Sequence, residues 1–581
     1  MAGNFTNITD KFLGLRESEF GETRIKKGES PKTKNLRVTP EYTLILRDGF
    51  EKLSSTEGEG RGIYAYEKGV IWVVDEKVYL RLGDSETVIG ALESTTGEVS
   101  FFRFGGKIYI LDGVKIKVWD GETFSDIEPY IPTIAISCDY TGAGTPFEEV
   151  NLLTGTKKQI FSGGNYSTYY LAEQNIDLVD KVYVNGAPVS KSKYTVNLEN
   201  GSVTFSSSSN LDYDRYPNNI EIIYTKGNQS DLIHRMRFAT SYGVDNDTRI
   251  FLWGDRENPN HIRYCGYHEG ISSMDYFPEL YFNKISSEYK VTSVARHYDG
   301  LMIFTEKEAF YTVGEKTTDA SGNEYTVYPL KTVSTEIGCE AENFTKLIDN
   351  FPVTLSTSGL YRWRSSTIRD ERNAEEIGER IKIGLGEMGV DGVHSFDRAT
   401  ESELYIWKGD KTYVYNYALD VFYYYEGFDA VAFCSVGTST YFIRRDGALC
   451  KIIDDKLDDG LPIDFSWESN YEEGSFLNTK NIHSIEFEIY PVSFTSFSFV
   501  WVSEKLAGRQ ETLKIDYRVA DFEKMNFDNL SFATASTSIK VAKRIKAKRI
   551  KRFKIILKGT GEGGDFHLLS LALLGRNTDT K

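Results

Sequence analysis

Apolar and polar positions alternate along most of the chain, and this pattern predicts β-strands separated by short polar turns. In the segment that begins at Gly62, GIYAYEKGVIWVVDEKVYLRL, apolar residues fall two apart within three consecutive runs. Polar turns occupy positions 67–69 and 75–77 between those runs. Because Ile71 and Val73 make the middle run apolar on both faces, we expect a strand stacked between two other sheets.

The same unit of strands and turns recurs along the chain. A second copy is VSFFRFGGKIYILDGVKIKVWDGETF, with turns at positions 105–106 and 112–113. Looser copies lie at 250–275, 291–313, 353–365, 403–424 and 430–453. A strand meander that repeats every roughly 30–50 residues is typical of a β-propeller, in which radial packing protects the strand edges. The repeats predict an all-β fold with a six- or seven-bladed propeller.

Two segments interrupt the repeat and predict β-sandwich domains. The first is an insertion with Asn-Gly hairpin turns at positions 185–186 and 200–201, and the second is a C-terminal jelly-roll-like sandwich. A helix is predicted over 370–385, where apolar residues are spaced by four. The predicted division is an extended arm with the first propeller strand at 1–55, blades at 56–130, the inserted sandwich at 131–231, blades at 232–465 and the C-terminal sandwich at 466–581.

Composition supports this interpretation and limits the function classes. Of the 581 residues, 14% are aromatic, and there are 50 Gly but 6 Met, which favours pleated sheets and turns over helices. The formal net charge of −17 disfavours a dedicated nucleic-acid binder or a peripheral membrane protein. Five scattered cysteines without a CxxC pair indicate neither a disulfide framework nor a zinc knuckle. The N-terminus has no signal-peptide pattern and no stretch is long and apolar enough to span a membrane, so we expect no export signal and no direct membrane insertion.

The segment KVAKRIKAKRIKRFK, at 540–554, is the only strong charge run, with nine Lys or Arg in fifteen residues. These candidate contacts for DNA or a partner are Lys540, Lys543, Arg544, Lys546, Lys548, Arg549, Lys551, Arg552 and Lys554. They could bind DNA phosphates. The interleaved apolar residues equally fit two strands, or one strand with a bulge, whose outer face is solvated or docks an acidic neighbour. The scarcity of interleaved aromatics favours the second interpretation.

Other candidate sites have simpler explanations. His261, Cys265 and His268 have spacings of four and three, but a predicted strand and loop would not bring such ligands together automatically. Asp245, Asp247 and the loop at 120–121 suggest calcium ligands, yet Asp-rich hairpin tips are ordinary turn chemistry. We therefore predict no metal site.

Catalytic motifs are absent from the sequence. It contains no GxSxG nucleophile elbow, no GxxxxGK[ST] phosphate loop, no GxGxxG between a strand and a helix, and no Ser-x-Asp-x-Gly-x-Thr-Trp box of sialidase propellers. With 85 acidic residues, the sequence cannot nominate a glycosidase pair. We predict no catalytic residues, no cofactor and no enzyme activity.

The first fifty residues carry the most specific pattern. Asn35-Leu36 is followed by Thr39-Pro40 and then by the run RDGF at 47–50. This resembles the opening of bacteriophage tail proteins of the propeller class, the tail-nozzle (tail tubular protein B type) and packaged-DNA stabilisation proteins of short-tailed phages. In that family an extended arm ends in R-P-G-(F/T) before the first blade, whereas here Asp48 takes the place of the usual Pro. The inserted sandwich and the C-terminal KRFKIILKG…FHLLSLALLGR also resemble modules of this class.

The resemblance implies a structural protein of the virion tail, assembled in the bacterial host cytoplasm. It implies a homo-oligomeric ring, taken as a hexamer, that closes the DNA channel below the portal and adaptor and opens for genome ejection. The implied partners are the portal-side adaptor proteins, tail fibre or spike proteins, and genome DNA that passes through without sequence recognition. A host-surface glycan-binding or depolymerising propeller protein is the alternative, because propellers and jelly rolls both serve lectin-like roles.

Overall fold

Almost all regular structure in this protein is β-strand. The computed structural model describes residues 4–18, 24–164, 166–206, 217–244, 247–268, 270–318, 324–364, 373–473, 478–490, 495–505, 511–515, 538–560 and 566–579. Within these ranges the α-helices are Asp231–His234 and Lys382–Met388, and short 3-10 turns are Lys191–Lys193, Glu379–Ile381 and Ala399–Glu401. No helix in the described ranges has the length and apolar character that a membrane crossing requires. The all-β prediction is confirmed.

Seven sheets, each built on an antiparallel meander of neighbouring strands, form the main body of the described chain. Sheet 1 contains Gly60–Tyr66, Gly69–Val74, Lys77–Leu82 and Ser85–Ala91. Sheet 2 contains Ser100–Phe104, Lys107–Leu111, Lys117–Trp119 and Phe124–Asp126. Sheet 3 contains Phe238–Val244, Asp247–Trp253, His261–Tyr264 and Phe282–Lys284.

The next three sheets follow the same order of strands. Sheet 4 contains Val291–His297, Gly300–Thr305, Ala309–Thr312 and Leu330–Ser334. Sheet 5 contains Lys346–Ile348, Phe351–Ser356, Gly359–Trp363 and Ala374–Glu376. Sheet 6 contains His394–Arg398, Glu403–Lys408, Lys411–Asn416 and Val421–Tyr425. Two-stranded ribbons extend from sheets 3 and 4, at Tyr267–His268 with Ile271–Ser272 and at Glu315–Thr318 with Glu324–Val327.

Sheet 7 combines strands from distant parts of the chain. Its strands are Ala430–Val436, Ser439–Arg444, Leu449–Ile453 and Gly49–Ser54, extended by Leu457–Asp458 and Leu461–Pro462. The strand Gly49–Ser54 comes from the N-terminal arm and pairs antiparallel with Leu449–Ile453. An early segment of the chain therefore completes the last sheet of the body.

The first strand of each sheet contacts the first strand of the next. Gly60–Tyr66 of sheet 1 contacts Ser100–Phe104 of sheet 2, and the same relation continues through sheets 3, 4, 5, 6 and 7. The first strand of sheet 7, Ala430–Val436, then contacts Gly60–Tyr66 again. Strands packed on both faces explain why Gly69–Val74 is buried along its whole length, as its run of apolar residues predicts.

The structure corrects two details of the sequence interpretation. The repeating unit has four strands rather than three. The missed strand is the polar Ser85–Ala91 in sheet 1, the polar His394–Arg398 in sheet 6 and the distant Gly49–Ser54 in sheet 7. The helix predicted over 370–385 is wrong over most of its described part. Ala374–Glu376 is a strand of sheet 5, a 3-10 turn follows, and the α-helix spans Lys382–Met388. Residues 370–372 lie outside the described residues.

Between sheets 2 and 3 lies an insertion made of two sheets. One contains Thr145–Pro146, Thr133–Cys138, Thr156–Phe161, Ile220–Thr225, Leu178–Val184 and Ala187–Pro188, and the other contains Thr168–Tyr170, Ser202–Phe205 and Tyr194–Asn197. Both contribute to one core, in which Tyr169 and Val203 meet Ile222 and Tyr224. The predicted turn at 185–186 is present, with positive φ at both positions.

The C-terminal part also contains two facing sheets, and the N-terminal arm adds strands to both. One sheet contains Leu36–Val38, Leu44–Leu46, His567–Asp579, Asn478–Ile489 and Ile539–Ile550, with Asn4–Thr9 also pairing to His567–Asp579. The other contains Thr33–Lys34, Asp464–Glu468, Arg552–Thr560, Thr495–Ser503 and Glu511–Ile515, with Glu472–Glu473 pairing to Arg552–Thr560. Phe487 packs against Phe497 and Phe499 across the two sheets. The domain boundaries predicted from the sequence stay predictions.

Candidate functional site

Most of the arm residues that carry the family resemblance are buried, whereas Thr39 is half-buried and Pro40 is exposed. Arg47 is 1% exposed, and its guanidinium forms a bidentate pair with Asp458, with N–O distances of 2.6 and 2.9 Å. It also donates to the carbonyl of Glu426 at 2.7 Å and lies over the ring of Phe428, 4.6 Å from its centroid. Its Nε donates to the side-chain oxygen of Asn35 at 3.0 Å. This motif therefore fixes the arm to sheets 6 and 7.

Asp48, at the position where the resembled family has Pro, belongs to a second buried charge network. Its carboxylate lies 3.0 Å from Lys456, 3.4 Å from Arg37 and 3.8 Å from Arg398. Burial opposes ionisation of Asp48, but Arg37 and Lys456 outweigh burial and hold its pKa below the usual range. The network is completed by Glu403, whose pKa burial raises to about 7.

The basic segment at 540–554 forms two strands, Ile539–Ile550 and Arg552–Thr560. The first of these lies at an edge of its sheet and pairs only with Asn478–Ile489 among the described strands. Its apolar residues Ile545 and Ala547 are buried. The exposed candidate residues are Lys540, Arg544, Lys546, Lys548, Arg549, Lys551 and Arg552.

Lys554 and Lys540 of this segment have acidic partners within the described part of the chain. Lys554 is buried, lies 2.8 Å from Glu468 and stands over the ring of Tyr471. Lys540 lies 3.9 Å from Glu488 at the surface, and Lys543 is half-buried. Charged side chains along an edge strand discourage pairing with another sheet. The burial of alternate residues agrees with the two-strand interpretation, whereas contact with DNA or a partner stays a prediction.

The three residues considered as metal ligands have separate surroundings. The ring of His261 packs near Phe282, and the thiol of Cys265 accepts a hydrogen bond from the backbone N–H of Ile250. His268 stacks on Tyr130, with 4.0 Å between ring centroids, and its Nε2 lies 2.9 Å from Asp275. Across the described ranges, no group of three or more His, Cys, Asp or Glu side chains is placed to hold a metal ion.

The aspartates considered as calcium ligands take part in local structure. Asp247 forms a bidentate pair with Arg249 and accepts hydrogen bonds from Ser272 and Thr326. Asp120 caps its turn by accepting hydrogen bonds from the backbone N–H and the hydroxyl of Thr123. These hydrogen bonds lower the pKa of Asp120 to about 2. Asp245 lies outside the described residues.

A cavity of about 770 Å³ opens where the first strands of several sheets begin, and sequence reasoning missed it. We call it the inter-sheet cavity. Its charged lining residues are Glu59, Glu98, Arg237, Arg256, His394, Lys408 and Arg445. They come from sheets 1, 2, 3, 6 and 7 or from the loops beside them, so no local sequence motif could have indicated the cavity.

Cationic side chains outnumber carboxylates in this lining. His394 lies 3.3 Å from Glu98 and is half-buried. Burial lowers the pKa of His394, and the nearby charges of Lys346 and Arg445 act in the same direction, against Glu98. Burial therefore disfavours the charged form of the imidazole. Arg and Lys side chains supply the positive charge of the cavity.

Comparison with known proteins gives only distant structural similarity. No protein-family model matches the chain, and no curated protein matches it. Among solved structures, the chain is similar to the computationally designed Ika8 protein, with 10% identity, a TM-score of 0.34, and coverage of 70% of this chain and 100% of that one. It is also similar to PorZ, a bacterial surface component of the type-IX secretion system of Porphyromonas gingivalis, with 9% identity and a TM-score of 0.36. The match covers 80% of this chain and 46% of PorZ. BamB from Moraxella catarrhalis matches with 11% identity and a TM-score of 0.33. The match covers 69% of this chain and 97% of BamB.

Proposed function

We propose that this protein is a non-enzymatic structural component of a bacteriophage tail, a nozzle or hub ring that closes the DNA channel below the portal and adaptor. The observation that carries this proposal is the position of the arm motif. Asn35 and Arg47, two residues of the family resemblance, are both buried and join the arm to Asp458 and Glu426. Two of the residues that suggest the family therefore anchor the arm to sheets 6 and 7.

The architecture that we propose for the body is a seven-bladed β-propeller. Seven sheets of similar strand order support it, as do the contacts between first strands that lead from sheet 1 through sheet 7 and back. The arm strand Gly49–Ser54 would supply the outer strand of the last blade and so close the ring of blades. On this proposal, the insertion and the C-terminal sheets are accessory sandwiches.

A role in a DNA channel needs a component that keeps its shape under load. The arm makes backbone hydrogen bonds both to sheet 6, from Leu15 to Phe422 at 2.7 Å and from Asn35 to Tyr424 at 2.8 Å, and to the C-terminal sheets. Pulling the C-terminal sheets away from the body would therefore break several bonds at once. The net charge of −17 also suits a channel part, because a negative surface does not retain the departing phosphates.

The experiment is electron microscopy of the full-length protein, alone and mixed with portal and adaptor proteins of a short-tailed phage. We expect rings, with six-fold symmetry, and co-assembly with the portal side. A monomer or trimer that binds or cuts capsular polysaccharide would contradict the tail assignment and support the glycan-binding alternative. The variant Lys546→Glu with Lys548→Glu tests whether the basic strand contacts DNA or a protein partner. A loss of DNA retention in assembled particles would support contact with DNA, whereas a loss of partner binding alone would support contact with a protein.

A further inference from the structure

The inter-sheet cavity has the size and charge of a ligand site, and the proposed tail function gives it no role. We propose that it binds a small multivalent oxyanion, either a phosphate ester or a polycarboxylate. The cavity volume of about 770 Å³ lies within the range of small-molecule sites, roughly 300–1,000 Å³.

The charge balance of the lining favours an anion. Four permanent cations, Arg237, Arg256, Lys408 and Arg445, share the lining with two carboxylates, and two of these cations, Arg256 and Lys408, have no carboxylate partner in the described part of the chain. Grouping cations in a concave site raises the local concentration of anions.

Each carboxylate of the lining has a polar neighbour, whereas two of the cations have no carboxylate partner in the described part of the chain. Glu59 accepts a hydrogen bond from the backbone N–H of Gly97 at 3.2 Å, and Glu98 lies 3.3 Å from His394. Among the described residues, Arg256 has no ion-pair or hydrogen-bond partner. Lys408 donates to the backbone carbonyl of Met388 at 3.0 Å and has no carboxylate partner within the described chain. The two side chains can therefore bind a ligand without breaking an existing ion pair.

The types of cation also fit an oxyanion. A guanidinium presents parallel N–H donors that match two oxygens of a phosphate or carboxylate, and an ammonium adds a flexible point charge. Arg237 and Arg445 each also pair with a carboxylate that does not line the cavity, Glu342 at 3.0 Å and Asp429 at 3.5 Å. Because these cations come from sheets 3, 6 and 7, one multivalent anion would bridge separate sheets.

Isothermal titration calorimetry on the full chain tests this proposal, with inorganic pyrophosphate and citrate as the two probes. We expect saturable binding of at least one probe and a loss of about tenfold or more in affinity for the double variant Arg256→Gln with Lys408→Gln. Pyrophosphate binding alone would indicate a phosphate ester, citrate binding alone a polycarboxylate, and binding of both a general oxyanion site.

The matched control is Lys191→Gln with Lys193→Gln, which removes the same charge from exposed positions of the insertion that do not line the cavity. This control should bind the probes like the wild type, and circular dichroism should show the same melting temperature for all three proteins. Absence of saturable binding by the wild type, or equal binding by the cavity variant, would overturn the proposal. Ring formation in the microscope is independent of this result, so the two proposals fail separately.

Discussion

Glu403 is a carboxylate that is almost completely removed from water, at 2% exposure. Its nearest cation is Arg398, at 3.7 Å, and its Oε2 has no hydrogen-bond donor. Burial raises its pKa to about 7, against the attraction of Arg398 and Arg37 and with the help of Glu401 and Asp48. The side chain therefore holds its proton in the folded chain at pH values where an unfolded chain, with a Glu pKa of about 4.3, has already lost it.

This difference predicts a pH-dependent loss of stability. Between about pH 4.3 and 7 the folded state binds more protons at Glu403 than the unfolded state, so its contribution to the free energy of unfolding falls as pH rises. The variant Glu403→Gln removes that loss. We expect it to match the wild type near pH 4 and to exceed it at pH 8 by roughly 1–3 kcal/mol in urea unfolding.

The control for this prediction is Glu336→Gln, an exposed carboxylate that forms no ion pair within the described part of the chain. Its effect on the free energy of unfolding should be small and similar at both pH values. An equal stability difference between wild type and Glu403→Gln at pH 4 and pH 8 would contradict the assigned pKa.

The arm strand Gly49–Ser54 is the element on which the closure of sheet 7 depends. It pairs with Leu449–Ile453, and Phe50 packs between Phe428 and Phe442. At its start, Gly49 passes so close to the chain that a Cβ atom would lie 2.0 Å from the carbonyl oxygen of Leu457. Glycine is required there by close backbone approach rather than by a positive φ.

The variant Gly49→Ala should therefore weaken the closure of sheet 7. The backbone must shift to relieve the contact, which we expect to cost about 1–3 kcal/mol in thermal unfolding. The control is Gly386→Ala, in the helix Lys382–Met388, where an added Cβ meets no atom within 4 Å. There alanine should be neutral or stabilising by up to about 1 kcal/mol. If Gly49→Ala were as stable as the wild type, the close approach of Gly49 to the carbonyl oxygen of Leu457 would not constrain the strand.

The arm also couples the largest parts of the molecule. It adds strands to both C-terminal sheets, and its backbone bonds to sheet 6 hold those sheets against the body. Phe12 is fully buried and packs edge-on against Trp467, with 5.5 Å between ring centroids. One aromatic core consequently extends from sheets 6 and 7 into the C-terminal sheets.

Removal of residues 1–48 should uncouple these parts. In differential scanning calorimetry we expect the body and the C-terminal sheets of the full chain to unfold in one main transition. For the truncated chain we expect two separated transitions. The reason is that the truncation leaves Gly49–Ser54 in sheet 7 but removes the arm strands of the C-terminal sheets. Deletion of residues 1–3 alone is the control and should leave the main transition unchanged. A truncated chain that still unfolds in the same single transition would argue against the arm as the coupling element.

Local patterns were sufficient to predict the β-class, the repeated meanders, the interruption between sheets 2 and 3 and the strand character of the basic segment. Alternation with a period of two reflects burial of one or both faces of each strand, and this signal lies within a few neighbouring residues. The helix prediction over 370–385 failed where Ala374–Glu376 pairs with Gly359–Trp363, since tertiary pairing outweighs a short helical spacing.

Features that join distant residues could be read only from the folded chain. The pair of Arg47 with Asp458 spans 411 positions, and the cations of the inter-sheet cavity come from three different sheets. Neither arrangement has a fixed spacing along the sequence, because each depends on which strands pair and on how the sheets pack. Hydrophobic periodicity thus specifies the individual strands. Long-range strand pairing and the pairing of buried charges decide where the arm is anchored and where a ligand can bind.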